Sequence, residues 1–288
     1  MEYEIALRDA YKGYTLDQDK VITPQETVRR FRERLKRVDL DILKETVRID
    51  KVRLGIPVYF SVCGRDAHEI IETKKQMGKG GTSQQAEASA VMELAERFSF
   101  FSFCKDETNF LIDTYKKVKD KALAFEKIAQ SVHDESPDLD LAKKIFSETP
   151  LKWTWAYNLT RKESVLIPFS WFFAINEFNG PSAGNCVEEA IIQGICEVVE
   201  RHVSSLVSRN KLSVPGIDLS STGDSVANDL IGKYKKVGVR LFANDFTLDT
   251  GIPTVGVLAY DPSTFPERSE IVWTAGTTPS PEKALIRA

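Results

Sequence analysis

Ser89-Ala-Val-Met-Glu-Leu-Ala-Glu-Arg97, SAVMELAER, is the stretch on which the reading of this chain turns. At about 100° per residue, a helix puts Ser89, Glu93, Glu96 and Arg97 in one sector and Val91, Leu94, Ala95 and Phe98 on the other side. Two carboxylates one turn apart repel, at a cost of a few tenths of a kcal/mol in an isolated helix. A single stripe of this kind ordinarily faces water. A second copy changes the reading. Glu189-Ala-Ile-Ile-Gln-Gly-Ile-Cys-Glu-Val-Val-Glu-Arg201 carries Gln193, Glu197, Glu200 and Arg201 at the same offsets, 104 residues further on. Glu189 adds a turn at its start, and Ile191, Ile195, Val198 and Val199 cover the opposite face. Unrelated solvated helices have no reason to share a register.

The repetition extends outward from the two helices. Three apolar segments contain Ile-Pro, at Leu54–Phe60, Val165–Trp171 and Gly251–Val257, and each reads as a strand with Pro at its start or edge. A β-prone stretch precedes each one: Thr46–Ile49, Trp153–Tyr157 and Val239–Phe242. Asp50, Asn158 and Asn244-Asp245 supply turn chemistry between the members of each pair. A Gly-containing loop follows each pair, at Gly78–Ser83, Gly180–Asn185 and Gly276–Pro281, and a helix follows each loop. The helices align on Ala86, Ala190 and Ala284, so that Ser89, Gln193 and Arg287 are equivalent. Three ββα-type repeats of this kind predict an α+β fold, with antiparallel sheet covered by packed helices.

Thr23-Pro-Gln-Glu26 signals a helix N-terminus, with Thr at N-cap, Pro at N1 and Glu at N3, and the helix is expected to run to about Arg37. The charge-rich segment from Lys105 to Pro150 reads as an insertion, with helical patterns at Thr114–Gln130 and Leu139–Phe146. The expected organisation is an N-terminal helical segment, 1–45, followed by one domain over 46–288 interrupted at about 105–150. The third helix stops at Ala288 in mid-pattern, which reads as a domain whose C-terminal part is missing.

Composition excludes several classes. With 42% hydrophobic and 28% charged residues in 288, the chain is globular and long enough to bury a sizeable core. A net charge of −3 without a polybasic run argues against nucleic acid. The longest strongly apolar run, Trp171–Ile175, is too short for a membrane span, and the acidic start is unlike a signal peptide. Cys63, Cys104, Cys186 and Cys196 form no CxxC pair, and His68, His133 and His202 form no HxxxH. A cytoplasmic protein without structural zinc is expected.

If the two acidic helices face each other, Glu93, Glu96, Glu197 and Glu200 make a four-carboxylate cluster that cannot stay ionised in a cleft without cations. Oxygen-only ligands favour Mg²⁺, which takes one or two carboxylates per ion with waters and phosphate oxygens. Arg97, Arg201, Arg287 and Lys79 supply the positive charge that a polyphosphate also needs. The Gly78-Lys79-Gly80-Gly81 loop ahead of a helix offers backbone N–H groups to an anion, although it is not a Walker A motif.

With these residues in view, GKGGTSQQAEASAVMELAERFS, NGPSAGNCVEEAIIQGICEVVERH and the closing PSPEKALIRA resemble the YcaO family from about Thr46 to the end. The resemblance implies a YcaO-like fold and ATP- and Mg²⁺-dependent activation of a peptide backbone amide, by phosphorylation of its oxygen after a nucleophile adds. An azoline results when a Cys, Ser or Thr side chain attacks, and a thioamide when external sulfur does. It further implies that Glu93, Glu96, Glu197 and Glu200 hold Mg²⁺, and that Lys79, Ser89, Arg97, Glu189, Gln193, Arg201 and Arg287 line the ATP pocket. The expected partners are a peptide or protein substrate and a separate presenting protein, of the TfuA type in thioamide-forming members. A homodimer is compatible with this reading, and no nucleic acid or membrane partner is implied. The family's Pro-rich C-terminal tail, implicated in catalysis in azoline-forming members, has no counterpart here, so the residues leave the product open.

Two other readings compete. Gly180-Pro-Ser182-Ala-Gly184 matches the GxSxG nucleophile elbow, but only His202 follows it and no Asp lies between. A catalytically idle accessory module that recruits a modifying enzyme is the alternative from another class; the complete set of four Glu argues against a decayed site. Cys104, Cys186, Cys196 and the tryptophans Trp153, Trp155 and Trp171 read as packing residues.

Overall fold

The computed structural model describes residues 4–50, 53–132, 138–268 and 270–288; His133 lies outside them. The chain forms two compact units, Ser102–Phe178 with the segment up to Arg8, and Asp9–Phe101 with Asn179–Ala288.

The larger unit begins with α1 (Pro24–Leu35), capped as its sequence predicts: the Thr23 side chain accepts from the Glu26 N–H at 3.3 Å. The helix stops short of Arg37, with Lys36 as its C-cap. The Glu26 carboxylate turns outward to pair with Arg29 and Arg30, each at 2.6 Å. Then come β1 (Leu43–Arg48), β2 (Val58–Cys63), α2 (Arg65–Ile71), β3 (Lys75–Lys79) and α3 (Ser83–Lys105). The strands form an antiparallel sheet in the order β1-β2-β3, with Val47 opposite Phe60 and Phe60 opposite Met77. Its core gathers Ile42, Cys63, Ala67, Ile71 and Leu94. The Ser61 hydroxyl, buried on β2, donates to Ala90 O at 2.7 Å and fixes α3 on the sheet.

The smaller unit contains β4 (Leu111–Thr114), α4 (Tyr115–Val118), α5 (Phe125–Ala129), α6 (Leu139–Glu148), β5 (Pro150–Asn158), β6 (Glu163–Pro168) and α7 (Phe169–Asn176). Its sheet runs β4-β5-β6, all antiparallel. Trp153 is fully buried among Val118, Phe125, Ile128, Phe146 and Leu166, and its indole N–H donates to Asp113 O at 2.9 Å. The strand pair of the second repeat thus shares one core with the inserted segment. Its Ile-Pro strand ends at Pro168, and Phe169–Trp171 turn into α7.

The larger unit resumes with α8 (Val187–Asn210), β7 (Gly216–Ile217), α9 (Ser225–Lys236), β8 (Arg240–Asp245), β9 (Thr254–Tyr260), β10 (Ile271–Thr277) and α10 (Pro281–Arg287). The sheet order is β10-β9-β8-β7, again antiparallel. The α+β class with small antiparallel sheets and packed helices is as the repeats predict. The first and third repeats carry one strand more than the ββα pattern shows, β3 and β10, each leading directly to its helix.

Glycines record the equivalence of the repeats. A Cβ on Gly78 would collide with Ala90 N and Ala86 O, and one on Gly276 with Ala284 O, so each strand crosses its helix backbone to backbone. In the second repeat the corresponding residue is Ser182, whose hydroxyl donates to Ala190 O at 2.7 Å. These crossings set where each helix starts, and hence which side chains face the space between them.

Candidate functional site

The charged stripes of α3 and α8 open into one cavity of about 740 Å³ in the larger unit. Lys79 from β3, Ser89, Glu93 and Glu96 from α3, Glu189, Gln193, Glu197 and Glu200 from α8, and Arg287 from α10 all line it. The apolar side of α3 goes into the core, with Val91 and Leu94 fully buried. On α8 the apolar side is partly open: Ile195 and Val198 are exposed, while Cys196, Val203 and Val207 are buried.

Burial dominates the electrostatics. It raises Glu96 to about 8, with the Glu93 charge adding to the rise, Arg97 opposing it, and Glu197 across the cleft raising it further. Burial also raises Glu197 and Glu200, against the pull of Arg201 and Arg287 on both. Glu200 accepts from the Thr277 N–H at 3.1 Å and lies 3.6 Å from the Arg287 guanidinium. Lys79 is lowered, first by burial and then by Arg287, against Glu200. The wall is therefore a set of carboxylates and cations short of water, in which the ionised acids lack full compensation.

Among the described residues, no three or more His, Cys, Asp or Glu side chains converge on one point. The four glutamates are thus not a closed cage for one ion. The four-carboxylate cluster that the two stripes predict is therefore not formed as one group, although all four carboxylates line the cavity.

Two arginines stand outside the cavity lining. Arg97 lies 2.9 Å from Glu93 and 3.7 Å from Glu96. Arg201 is exposed and acts on Glu197 and Glu200 through its charge. Glu189 reaches the cavity with its carboxylate already engaged: it accepts from the Val21 N–H at 2.9 Å and from the Asn185 side chain at 3.0 Å, and lies 3.6 Å from Lys20. The loop before α3 also differs from its reading as a free anion cradle. Gly78 and Lys79 belong to β3, and the Thr82 N–H donates to Asp17 at 3.2 Å.

Sequence reasoning missed the contribution of residues 18–27. Gln18, Lys20, Ile22 and Thr27 line the cavity, and the Thr27 hydroxyl donates to Asn185 Oδ1 at 3.0 Å. No local pattern marks them; the contact from Val21 to Glu189 spans 168 positions. The GxSxG serine is explained by packing: Ser182 lies under Gly194, and its proton is committed to Ala190 O.

A family model described as YcaO cyclodehydratase, ATP- and Mg²⁺-binding, matches residues 77–288. An uncharacterized protein of Methanothermobacter thermautotrophicus is 31% identical over 93% of this chain and 68% of its own length. A protein of Rhizobium leguminosarum bv. trifolii, known as an uncharacterized protein in the tfuA 3′ region, is 24% identical over 98% of this chain and 67% of its own. Among solved structures, a heterocyclase in complex with substrate and cofactor matches with a TM-score of 0.79 at 23% identity, over 99% of this chain and 41% of that one. YcaO from Methanopyrus kandleri, bound with AMPPCP and Mg²⁺, matches with a TM-score of 0.64 at 24% identity, over 97% and 69%. The structural likenesses show the fold, and this chain spans 41% of the heterocyclase it matches. No helix among the described residues is long and apolar enough to cross a membrane.

Proposed function

This chain belongs to the YcaO family, whose cofactors are ATP and Mg²⁺, and we propose that it activates a backbone amide of a peptide for conversion to a thioamide or an azoline. One observation carries the reading: acidic stripes from two separate repeats, with Lys79, Gln193 and Arg287 beside them, line one cavity. The fit to the cofactors rests on the same wall. Its volume lies within the range of small-molecule sites, and buried carboxylates raised above their ordinary range gain most from a cation.

In this proposal Glu93, Glu96, Glu197 and Glu200 hold Mg²⁺. Lys79, Ser89, Gln193 and Arg287 face the nucleotide. Arg97 and Arg201 act from behind, keeping the carboxylates ionised and oriented. Glu189 acts through the segment it grips. Bound ATP and Mg²⁺ supply the phosphoryl group that turns the amide oxygen into a leaving group. The protein's part is to fix that group and exclude water, and a preorganised set of charges in a dry cleft is the largest contribution it can make.

A relative known by its place beside tfuA supports a TfuA-type partner that presents the peptide, and with it the thioamide branch. The test is direct. Mg²⁺-dependent ATP binding is measured calorimetrically, and ATP hydrolysis is followed with and without candidate peptide and partner. Mass spectrometry of the peptide then separates loss of water from exchange of oxygen for sulfur. Failure to bind ATP in the presence of Mg²⁺ would overturn the reading.

A further inference from the structure

Residues 13–22 make a set of contacts that phosphate and metal binding leaves unexplained. The Gly13 and Tyr14 N–H groups both donate to Lys20 O at 3.0 Å, and the Lys20 N–H returns a bond to Tyr14 O at 2.9 Å, so the segment closes on itself. Gly13 permits the closure, because a Cβ there would collide with Val21 O. Inside this loop Asp17 is fully buried. One of its oxygens accepts the Tyr14 hydroxyl at 2.7 Å, and the other accepts the Thr82 N–H at 3.2 Å. Gly81 eases the approach, since a Cβ there would meet Val226 Cγ1 at 2.8 Å and stand 3.1 Å from Asp17.

Two more ties come from the other repeats. Buried Lys283 on α10 donates to Leu16 O at 2.5 Å and to Asp224 at 2.8 Å. Glu189 on α8 accepts the Val21 N–H. Glu189 and Lys283 each immediately precede the alanine on which the repeats align, Ala190 and Ala284, and Thr82 lies just ahead of α3. All three repeats therefore reach the same short segment, and between the ties it presents Gln18, Lys20 and Ile22 to the cavity. A buried charge left without its partners is costly, so such ties fix the position of what they hold.

We propose that residues 14–22 are a strap forming one wall of the nucleotide site, and that Asp17, Glu189 and Lys283 are positioning residues that hold it there. The inference rests on the nucleotide reading above. Glu189 also lines the cavity, whereas Asp17 and Lys283 do not and reach the ligand only through the strap, so the loss of either of these two weakens ligand binding more than it slows the chemistry.

The experiment combines hydrogen exchange of the whole chain with nucleotide affinity, in the unaltered protein and in Lys283→Met, Asp17→Asn and Lys283→Arg. Amides of 14–22 should exchange slowly in the unaltered protein and about tenfold faster in Lys283→Met and Asp17→Asn, while β8 and β9 keep their rates. The Kd and KM for ATP with Mg²⁺ should rise about tenfold with kcat changed by less than about twofold, and Lys283→Arg should restore most of both. Either of the two loosened variants suffices if the other fails to fold. An unprotected strap in the unaltered protein, or a loosened strap with unchanged ATP affinity, overturns the proposal. No ATP binding by the unaltered protein sinks the nucleotide reading and the strap's role with it, whereas normal binding there and in every variant sinks the strap alone.

Discussion

The Arg287 guanidinium donates to the Gln193 side-chain oxygen at 2.9 Å, joining residues that hold the same place in the third and second repeats. Ser89 holds that place in the first, and all three line one cavity. Equivalent positions therefore converge, which is what a threefold repetition of one helix–strand crossing produces.

Arg287 also lies 3.6 Å from Glu200, so its planar fork serves an acid and an amide at once and retains donors for a phosphate. Lysine cannot reproduce that geometry. Arg287→Lys is expected to raise the KM for ATP about tenfold, or about 1.4 kcal/mol, and Arg287→Ala to raise it more. Steady-state hydrolysis at saturating peptide checks this; an unchanged KM in both variants would remove Arg287 from the site.

Glu197→Ala and Glu200→Gln are expected to abolish ATP turnover without loss of stability, since the amide oxygen of the second still accepts the Thr277 N–H. Burial raises both carboxylates, so the metal-free fold holds them at a cost, and removing one lessens like-charge repulsion. Thermal melts should be unchanged or slightly higher while hydrolysis falls to background. A variant that melts early, or that still turns over ATP, contradicts the assignment.

The acidic stripes were legible in the sequence because helical periodicity converts spacing into direction, and two copies in one register fix a shared orientation. The α+β class was legible for the same reason. What was not legible depends on distant partners. Lys75-Gln-Met-Gly-Lys79 has no alternation that marks a strand; it becomes β3 by pairing with β2, and Gly78 lets it lie on α3. Residues 14–22 carry no periodic signal at all, because each tie has a backbone atom at one end: the Thr82 N–H on the Asp17 carboxylate, the Val21 N–H on Glu189 and Leu16 O under Lys283. Glu189 was placed in the pocket by resemblance, and only its contacts show that its oxygens are engaged.

Two glycine substitutions should separate crossing from propensity. Gly78→Ala drives a Cβ into the Ala90 backbone, where no side chain can move aside, and is expected to cost several kcal/mol or to prevent folding. Gly232→Ala lies within α9, where a Cβ meets nothing within 4 Å, and should stabilise by about 0.5–1 kcal/mol. Urea denaturation of both variants checks the contrast, and equal effects would show that the close crossing is not what Gly78 provides.

The pH dependence of the metal-free protein follows from Glu96. Its pKa in the folded state is about 8, raised by burial and by Glu93 from an ordinary value of 4.5. Between those values the folded chain binds the proton that the unfolded chain has released, so stability falls as pH rises from about 4.5 to about 8 and then levels off. The contribution is at most a few kcal/mol. Glu96→Gln removes the titrating group while keeping its size, so its stability should fall less steeply over this window than that of the unaltered protein. The two curves should lie closest near pH 5, where Glu96 is protonated in the fold, and separate above pH 7 with the variant more stable. Added Mg²⁺ with ATP should stabilise the unaltered protein more at pH 8 than at pH 5.5, because a cation binds the ionised carboxylate and competes with its proton. Urea titrations at four pH values, with and without Mg²⁺ and ATP, give both comparisons. Parallel curves for the two proteins would place the Glu96 carboxylate in a wetter setting than the cleft provides.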